Sequence, residues 1–180
     1  MHGITTLLNV EQSSQVEELW QFLDKSCGLT GVMITPIPHF SWQVAEAYDM
    51  EGTKAILQEM AVDACPFQVY TTGLGIFTGD QPVLYIQIAK SKPLQELHEQ
   101  LWTRLEKVCS GCKDVYSPQY WVPHITLAHG DVDENGLMCA LKKLAFMQFH
   151  WEILVDHFAF AYQPQGEVAW VKFLYKFQGV

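Results

Sequence analysis

Pro38-His39-Phe40-Ser41-Trp42 and Pro123-His124-Ile125-Thr126-Leu127 are the two stretches on which the reading of this chain turns. The second follows the first by 85 residues, close to half of the 180-residue chain. At the same offset, Val83-Leu84-Tyr85-Ile86 maps onto Val168-Ala169-Trp170-Val171. Either match alone is short enough to arise by chance. Two at one spacing point to an internal repeat, with halves of about 1–90 and 91–180 in one bilobal domain.

Side chains alternate faces along a strand. His39 and Ser41 therefore share one face, and Phe40 and Trp42 the other. His124 and Thr126 repeat the pattern against Ile125 and Leu127. If a pseudo-twofold axis relates the halves, both imidazole–hydroxyl pairs face one cleft. Gln43 and Ile37 have the parity of His39, and Tyr120 that of His124. Gln43 and Tyr120 are therefore expected to line the substrate, with Tyr120 placed to stack on a base.

Two imidazoles on either side of a phosphate can serve as general base and general acid. Their reference pKa of about 6.5 lets one be neutral while the other is charged. The hydroxyls of Ser41 and Thr126 can donate to non-bridging phosphate oxygens. That chemistry requires no metal and no cofactor.

The elements around the motifs fit a repeat of helix, strand, helix, strand, strand. Ile4 to Leu8 reads as a leading strand. Ser14 with Glu17 looks like a capping box ahead of Val16, Leu19, Trp20 and Leu23 at helical spacing. Pro36 to Val44 reads as a strand, and Ile56 to Ala64 as a helix ended by Pro66. Phe67 to Leu74 and Val83 to Ala89 read as strands. Pro93 opens a helix that runs to Val108. Val122 to Ala128 is a strand, Leu137 to Ala145 a helix, and Ile153 to Tyr162 with Glu167 to Phe177 a hairpin.

Composition narrows the partners. There are 11 Lys and Arg against 20 Asp and Glu, a formal charge of −9. Binding to a DNA duplex by phosphate neutralisation is disfavoured, and so is docking on an anionic membrane. No run approaches the length of a membrane span, and the first residues lack a signal-peptide pattern. Five cysteines, an odd count in a chain rich enough for a good core, point to reduced thiols and a cytoplasmic setting.

Three local patterns have plainer readings. Asp131-Val132-Asp133-Glu134-Asn135-Gly136 opens like a calcium loop, but its twelfth position is Lys142 where a bidentate Glu is needed. A helix cap from Asp131 or Asp133 is the better reading. Cys109-Ser110-Gly111-Cys112 has no second ligand pair for zinc and follows a helix, so it reads as a helix end with Gly111 as cap. His2, His98, His129, His150 and His157 are expected on the surface or in satisfied hydrogen bonds.

The paired His-x-Ser/Thr motifs, half a chain apart in a duplicated domain of this size, resemble the 2H phosphoesterase superfamily. That group includes the 2′-5′ RNA ligase-like proteins and cyclic nucleotide phosphodiesterases. The resemblance covers about Ile4 to Phe177. His124-Ile125-Thr126-Leu127 fits closely, whereas His39-Phe40-Ser41-Trp42 has Ser for the commoner Thr and Trp for an aliphatic residue. The arginine that some RNA-acting members carry after the second motif is missing at Ala128 and His129.

The resemblance implies an α+β, duplicated bilobal LigT-like fold, with two antiparallel sheets facing across a central groove and helices outside. It implies metal-independent action on a 2′,3′-cyclic phosphate or 2′-5′ linkage of a small nucleotide or RNA end. His124 would be the base and His39 the acid, in a monomer. The competing reading is a non-catalytic module that binds nucleotides or RNA ends on the same fold. A thiol or metal protein built on Cys109 and Cys112 is a more distant alternative.

Overall fold

The computed structural model of the chain describes residues 1–179. Strand β1 (His2–Leu7) leads into helix α1 (Val10–Cys27), β2 (His39–Ala45), the two-residue β3 (Ala47–Tyr48) and α2 (Met50–Asp63). The hairpin of β4 (Phe67–Phe77) and β5 (Val83–Ile88) follows, then α3 (Lys92–Leu105), β6 (Cys109–Ser110) and β7 (His124–Ala128). Helix α4 (Glu134–Leu144) precedes β8 (Glu152–Val155), β9 (His157–Tyr162) and β10 (Trp170–Lys176). Among the described residues no helix is long and apolar enough to cross a membrane.

The helix starts follow their caps. Asn9 accepts from the Gln12 amide at 2.8 Å and starts α1, which leaves Ser14 and Glu17 inside the helix rather than at its end. Ser91 accepts from the Leu94 amide, and Pro93 occupies the first turn of α3. Asp133 caps α4 by accepting from the Gly136 amide at 2.7 Å. Asp131 instead accepts from the Thr30 and Gly31 amides at 2.6 and 2.7 Å, tying that loop to the end of β7. The acidic hexapeptide is thus a helix cap and a loop clamp. Asp133→Ala is expected to cost about 1 kcal/mol of stability, as cap removals do. Urea unfolding reads this as a lower midpoint at unchanged slope, and an unchanged midpoint would dismiss the cap.

The sheet differs from the expected pair. Its order is β10-β9-β1-β2-β7-β5-β4-β8, a single antiparallel sheet of eight strands, with β3 and β6 forming a small second one. The two four-stranded halves meet at β2 and β7 through one residue pair, Phe40 with Ile125. Those two side chains are fully buried on the face opposite the motif side chains. Helices α2 and α3 pack against each other, with α3 on β2 and α2 on β9 and β10, while α1 packs on α4 and β7.

Each half of the sheet draws strands from both halves of the sequence. β1 and β2 are completed by β9 and β10, and β5 and β7 by β4 and β8. About the midline, β7 mirrors β2 and β5 mirrors β1, with Leu7 opposite His39 and Gln87 opposite His124. The match of Val83 to Val168 is therefore not a structural equivalence, because β5 is an inner strand and β10 an edge. The strand expected over Ile153–Tyr162 breaks at Asp156, where the chain leaves β4's partner β8 for β1's partner β9.

The cysteines also depart from expectation. Cys27 is disulfide-bonded to Cys139, and Cys109 to Cys112. The packing of α1 on α4 brings the first pair together. Gly111, with φ of 62°, turns the chain so that Cys112 folds back on Cys109. Cys109 begins a strand instead of ending a helix. The structure thus pairs four of the five cysteines where reduced thiols were expected.

Candidate active site

Because β2 and β7 are neighbours at the sheet's centre, the two motifs lie side by side. His39, Ser41, His124 and Thr126 line one groove of about 730 Å³. The matching strand positions are supported in matching ways. The Pro38 carbonyl accepts from the Leu8 amide at 3.1 Å, and the Pro123 carbonyl from the Ile88 amide at 3.0 Å.

Both imidazoles are held by the same device. His39 Nδ1 donates to the Ile37 carbonyl, and His124 Nδ1 donates to the Val122 carbonyl at 2.7 Å. A carbonyl only accepts, so the neutral ring carries its proton on Nδ1 and leaves Nε2 to gain or lose one. The hydroxyl residues are braced through their backbones. Trp121 Nε1 donates to the Ser41 carbonyl at 2.9 Å, and Trp20 Nε1 to the Thr126 carbonyl at 3.0 Å. Each motif is thereby anchored by an indole that belongs to the other half of the chain.

The walls are aromatic. The His124 ring meets Phe77 edge-on at 4.9 Å between centroids and Tyr85 at 5.0 Å. Tyr85 lies opposite Thr126 in register, and its ring fills space that Gly75 leaves, where a Cβ would come within 2.4 Å of it. Trp121 stacks on His98 at 3.8 Å, and the His98 Nε2 donates to the carbonyls of Trp42 and Tyr116. The Tyr116 hydroxyl reaches the Ser41 hydroxyl.

Burial pushes both motif histidines below their ordinary value. His39 is lowered by desolvation, against the opposing bond to Ile37. His124 falls to about 4, mostly by burial, and a charge on His39 lowers it further. Both rings are therefore neutral at pH 7 in the empty groove, with acidification charging one before the other.

The remaining expectations divide. Tyr120 lines the groove and is 70% exposed, as a stacking surface would be. Gln43 does not line it. The β1–β2 register slips between Ile4 and Thr5, leaving Trp42 as the extra residue of a bulge. Beyond the bulge the parity reverses, so Val44 faces the groove while Gln43 is fully buried, its Oε1 accepting from the Tyr48 hydroxyl at 3.1 Å. His129 and His2 line the groove, which the sequence reading did not anticipate. His98 and His157 are buried with their hydrogen bonds made, as expected; His157 Nδ1 donates to Asp156 and its Nε2 accepts from the Leu7 amide.

Tyr116, Trp121 and Trp20 were missed. The available signal was the aromatic run Tyr116-Ser117-Pro118-Gln119-Tyr120-Trp121 just ahead of the second motif.

Fold and site together define a relative of a known class. The profile of the 2′-5′ RNA ligase superfamily matches residues 8–167. The chain belongs to that superfamily, the group of 2H phosphoesterases. A protein of Geobacillus kaustophilus, provisionally named a phosphoesterase, is 26% identical over 133 residues, 72% of each chain. The crystal structure of TT0787 from Thermus thermophilus superposes with a TM-score of 0.67 at 20% identity, over 99% of this chain and 98% of that one. Escherichia coli LigT, crystallised with NADP+, gives 0.56 at 13% identity over 97% and 95%. Usb1 of Kluyveromyces marxianus, crystallised with uridine monophosphate, gives 0.55 at 10% identity over 97% and 98%. These structural matches show a LigT-like α+β fold.

Proposed function

We propose that this protein is a phosphoesterase in which His39 and His124 exchange protons with a phosphate held between them. The substrate is a 2′,3′-cyclic phosphate or 2′-5′ linkage on a small nucleotide or RNA end. The observation that carries this is the matched bracing of two imidazoles, each through Nδ1, beside two hydroxyls in one groove. LigT and Usb1, which share the fold, were crystallised with nucleotides, which supports a nucleotide as the ligand class.

For a 2′,3′-cyclic phosphate the balance is simple. One neutral imidazole takes a proton from water as the water oxygen bonds to phosphorus. One bond from phosphorus to a ribose oxygen breaks, and that oxygen takes the proton of the other, charged imidazole. One water is consumed, and the two rings end with exchanged protonation. His124 suits the base, because its strongly lowered pKa keeps it neutral. His39 is then the acid, charged when the anionic substrate sits beside it. Ser41 and Thr126 donate to the non-bridging oxygens.

Hydrolysis of adenosine 2′,3′-cyclic phosphate in EDTA tests the reading. Because kcat/KM reports the free enzyme, and both rings titrate below 6.5 there, its bell is expected to peak on the acid side of pH 6.5. The kcat bell should peak at higher pH, since bound phosphate favours the charged rings. Activity lost in EDTA and restored by a metal would overturn the mechanism. A folded protein that binds cyclic and 2′-5′ nucleotides but turns none over would instead be the binding module.

A further inference from the structure

Among the described residues, no lysine or arginine side chain lines the groove. Its other two imidazoles, His2 and His129, are both lowered, first by burial and for His2 also by the Met1 ammonium and Lys172, so neither carries a charge at pH 7 in the empty groove. The Met1 ammonium lies at the β1 end, donating to the Gln163 carbonyl at 3.3 Å. Much of the wall is apolar, with Val32, Val44, Ile76, Val83, Val115 and Val122 among its residues. One phosphate therefore finds partners, in two imidazoles and two hydroxyls. A second finds no guanidinium or side-chain ammonium among the lining residues, since Lys90, 5.9 Å over the Trp121 ring, and Lys172, 4.5 Å over the Tyr162 ring, do not line the groove, and the chain's formal charge of −9 opposes it from a distance.

We infer that the groove takes a phosphodiester carrying one phosphate on an otherwise neutral nucleoside, and discriminates against nucleotides and RNA ends that carry more. This rests on the phosphoesterase reading for the place of the first phosphate. A hydrogen bond to a charged group is worth roughly 10- to 100-fold in affinity, which an unpartnered phosphate forgoes. A phosphate drawn against an apolar wall also loses water without compensation. The nucleoside fares better, because Tyr120 at the groove is 70% exposed and offers a face for the base. The selection is thus by charge count, exercised through what the walls lack.

The test measures binding and turnover separately. Calorimetric titration compares adenosine 2′-phosphate with adenosine 2′,5′-bisphosphate at fixed salt. Hydrolysis compares adenosine 2′,3′-cyclic phosphate with its 5′-phosphorylated counterpart. The ligand with fewer phosphates is expected to be favoured by about 10-fold or more in both assays. Val115→Lys, at a groove residue that is 66% exposed, should narrow the binding ratio several-fold at low salt and less at high salt. Equal or tighter binding of the bisphosphate overturns the inference, as does binding of neither ligand or an unchanged ratio in Val115→Lys. Selective binding without hydrolysis keeps the inference and removes the catalytic reading. Hydrolysis of both cyclic substrates with equal kcat/KM does the reverse.

Discussion

His39→Ala and His124→Ala are each expected to reduce the hydrolysis of a 2′,3′-cyclic nucleotide by about 10²–10⁴-fold, the usual value of one general acid or base. The bell-shaped pH dependence should also lose one limb in each variant, a different limb for each if the roles are divided. With both rings gone, the rate should be little worse than that of the worse single variant, because residues that act as a unit do not add. Folding is expected to survive. Each ring lines the groove, and the carbonyls it releases, those of Ile37 and Val122, come within reach of groove water. Circular dichroism controls for this, and the pH–rate series on four proteins decides it. Full activity in either single variant would contradict the proton-transfer roles.

Ser41→Ala and Thr126→Ala are the second large effect. Removing one preorganised donor to a developing oxyanion typically costs on the order of 10²–10³ in rate, and less where water can substitute. The loss should fall on kcat more than on KM, because the donors matter most when charge builds on the phosphate. Ser41→Ala also gives up the contact of that hydroxyl with Tyr116, so Thr126→Ala is the cleaner test of chemistry. The indoles of Trp121 and Trp20 hold the backbone carbonyls of Ser41 and Thr126, which an alanine retains. Thr126→Ser should keep most of the activity that Thr126→Ala loses. Wild-type kinetics in both alanine variants would show that the hydroxyls do not touch the phosphate.

Much of this site was legible because its signals are local. His39, Ser41, His124 and Thr126 follow from a period of two on strands whose other faces are Phe40, Trp42, Ile125 and Leu127, all buried. Helix α3 was readable from its proline and its apolar spacing. What failed was non-local. Gln43 was misplaced by a bulge that exists only through the pairing of β2 with β1. The break at Asp156 is set by strands that lie far away in sequence. Its carboxylate accepts from His157 Nδ1 at 2.6 Å and from Lys176 Nζ at 2.7 Å, while its carbonyl accepts from the Phe177 amide. Trp20 and Trp121 reach their carbonyls across 106 and 80 residues, a relation that no window along the chain contains.

The exchange of strands between the two halves of the sheet bears on how the protein reaches its native state. A nascent chain that has emerged as far as β5 holds β1 and β2 without β9, and β4 and β5 without β7 or β8. One sheet half is incomplete until β8 has formed and the other until β9 and β10 have, all of them after residue 150. Closing such distant pairings costs loop entropy before contacts reward it, which favours slow, all-or-none folding over stepwise folding of two lobes. The two halves of the chain are thus not separable units of the sheet. The facing of His39 and His124 arises in the same late event that makes the chain stable, so a partly folded chain has no working groove to offer.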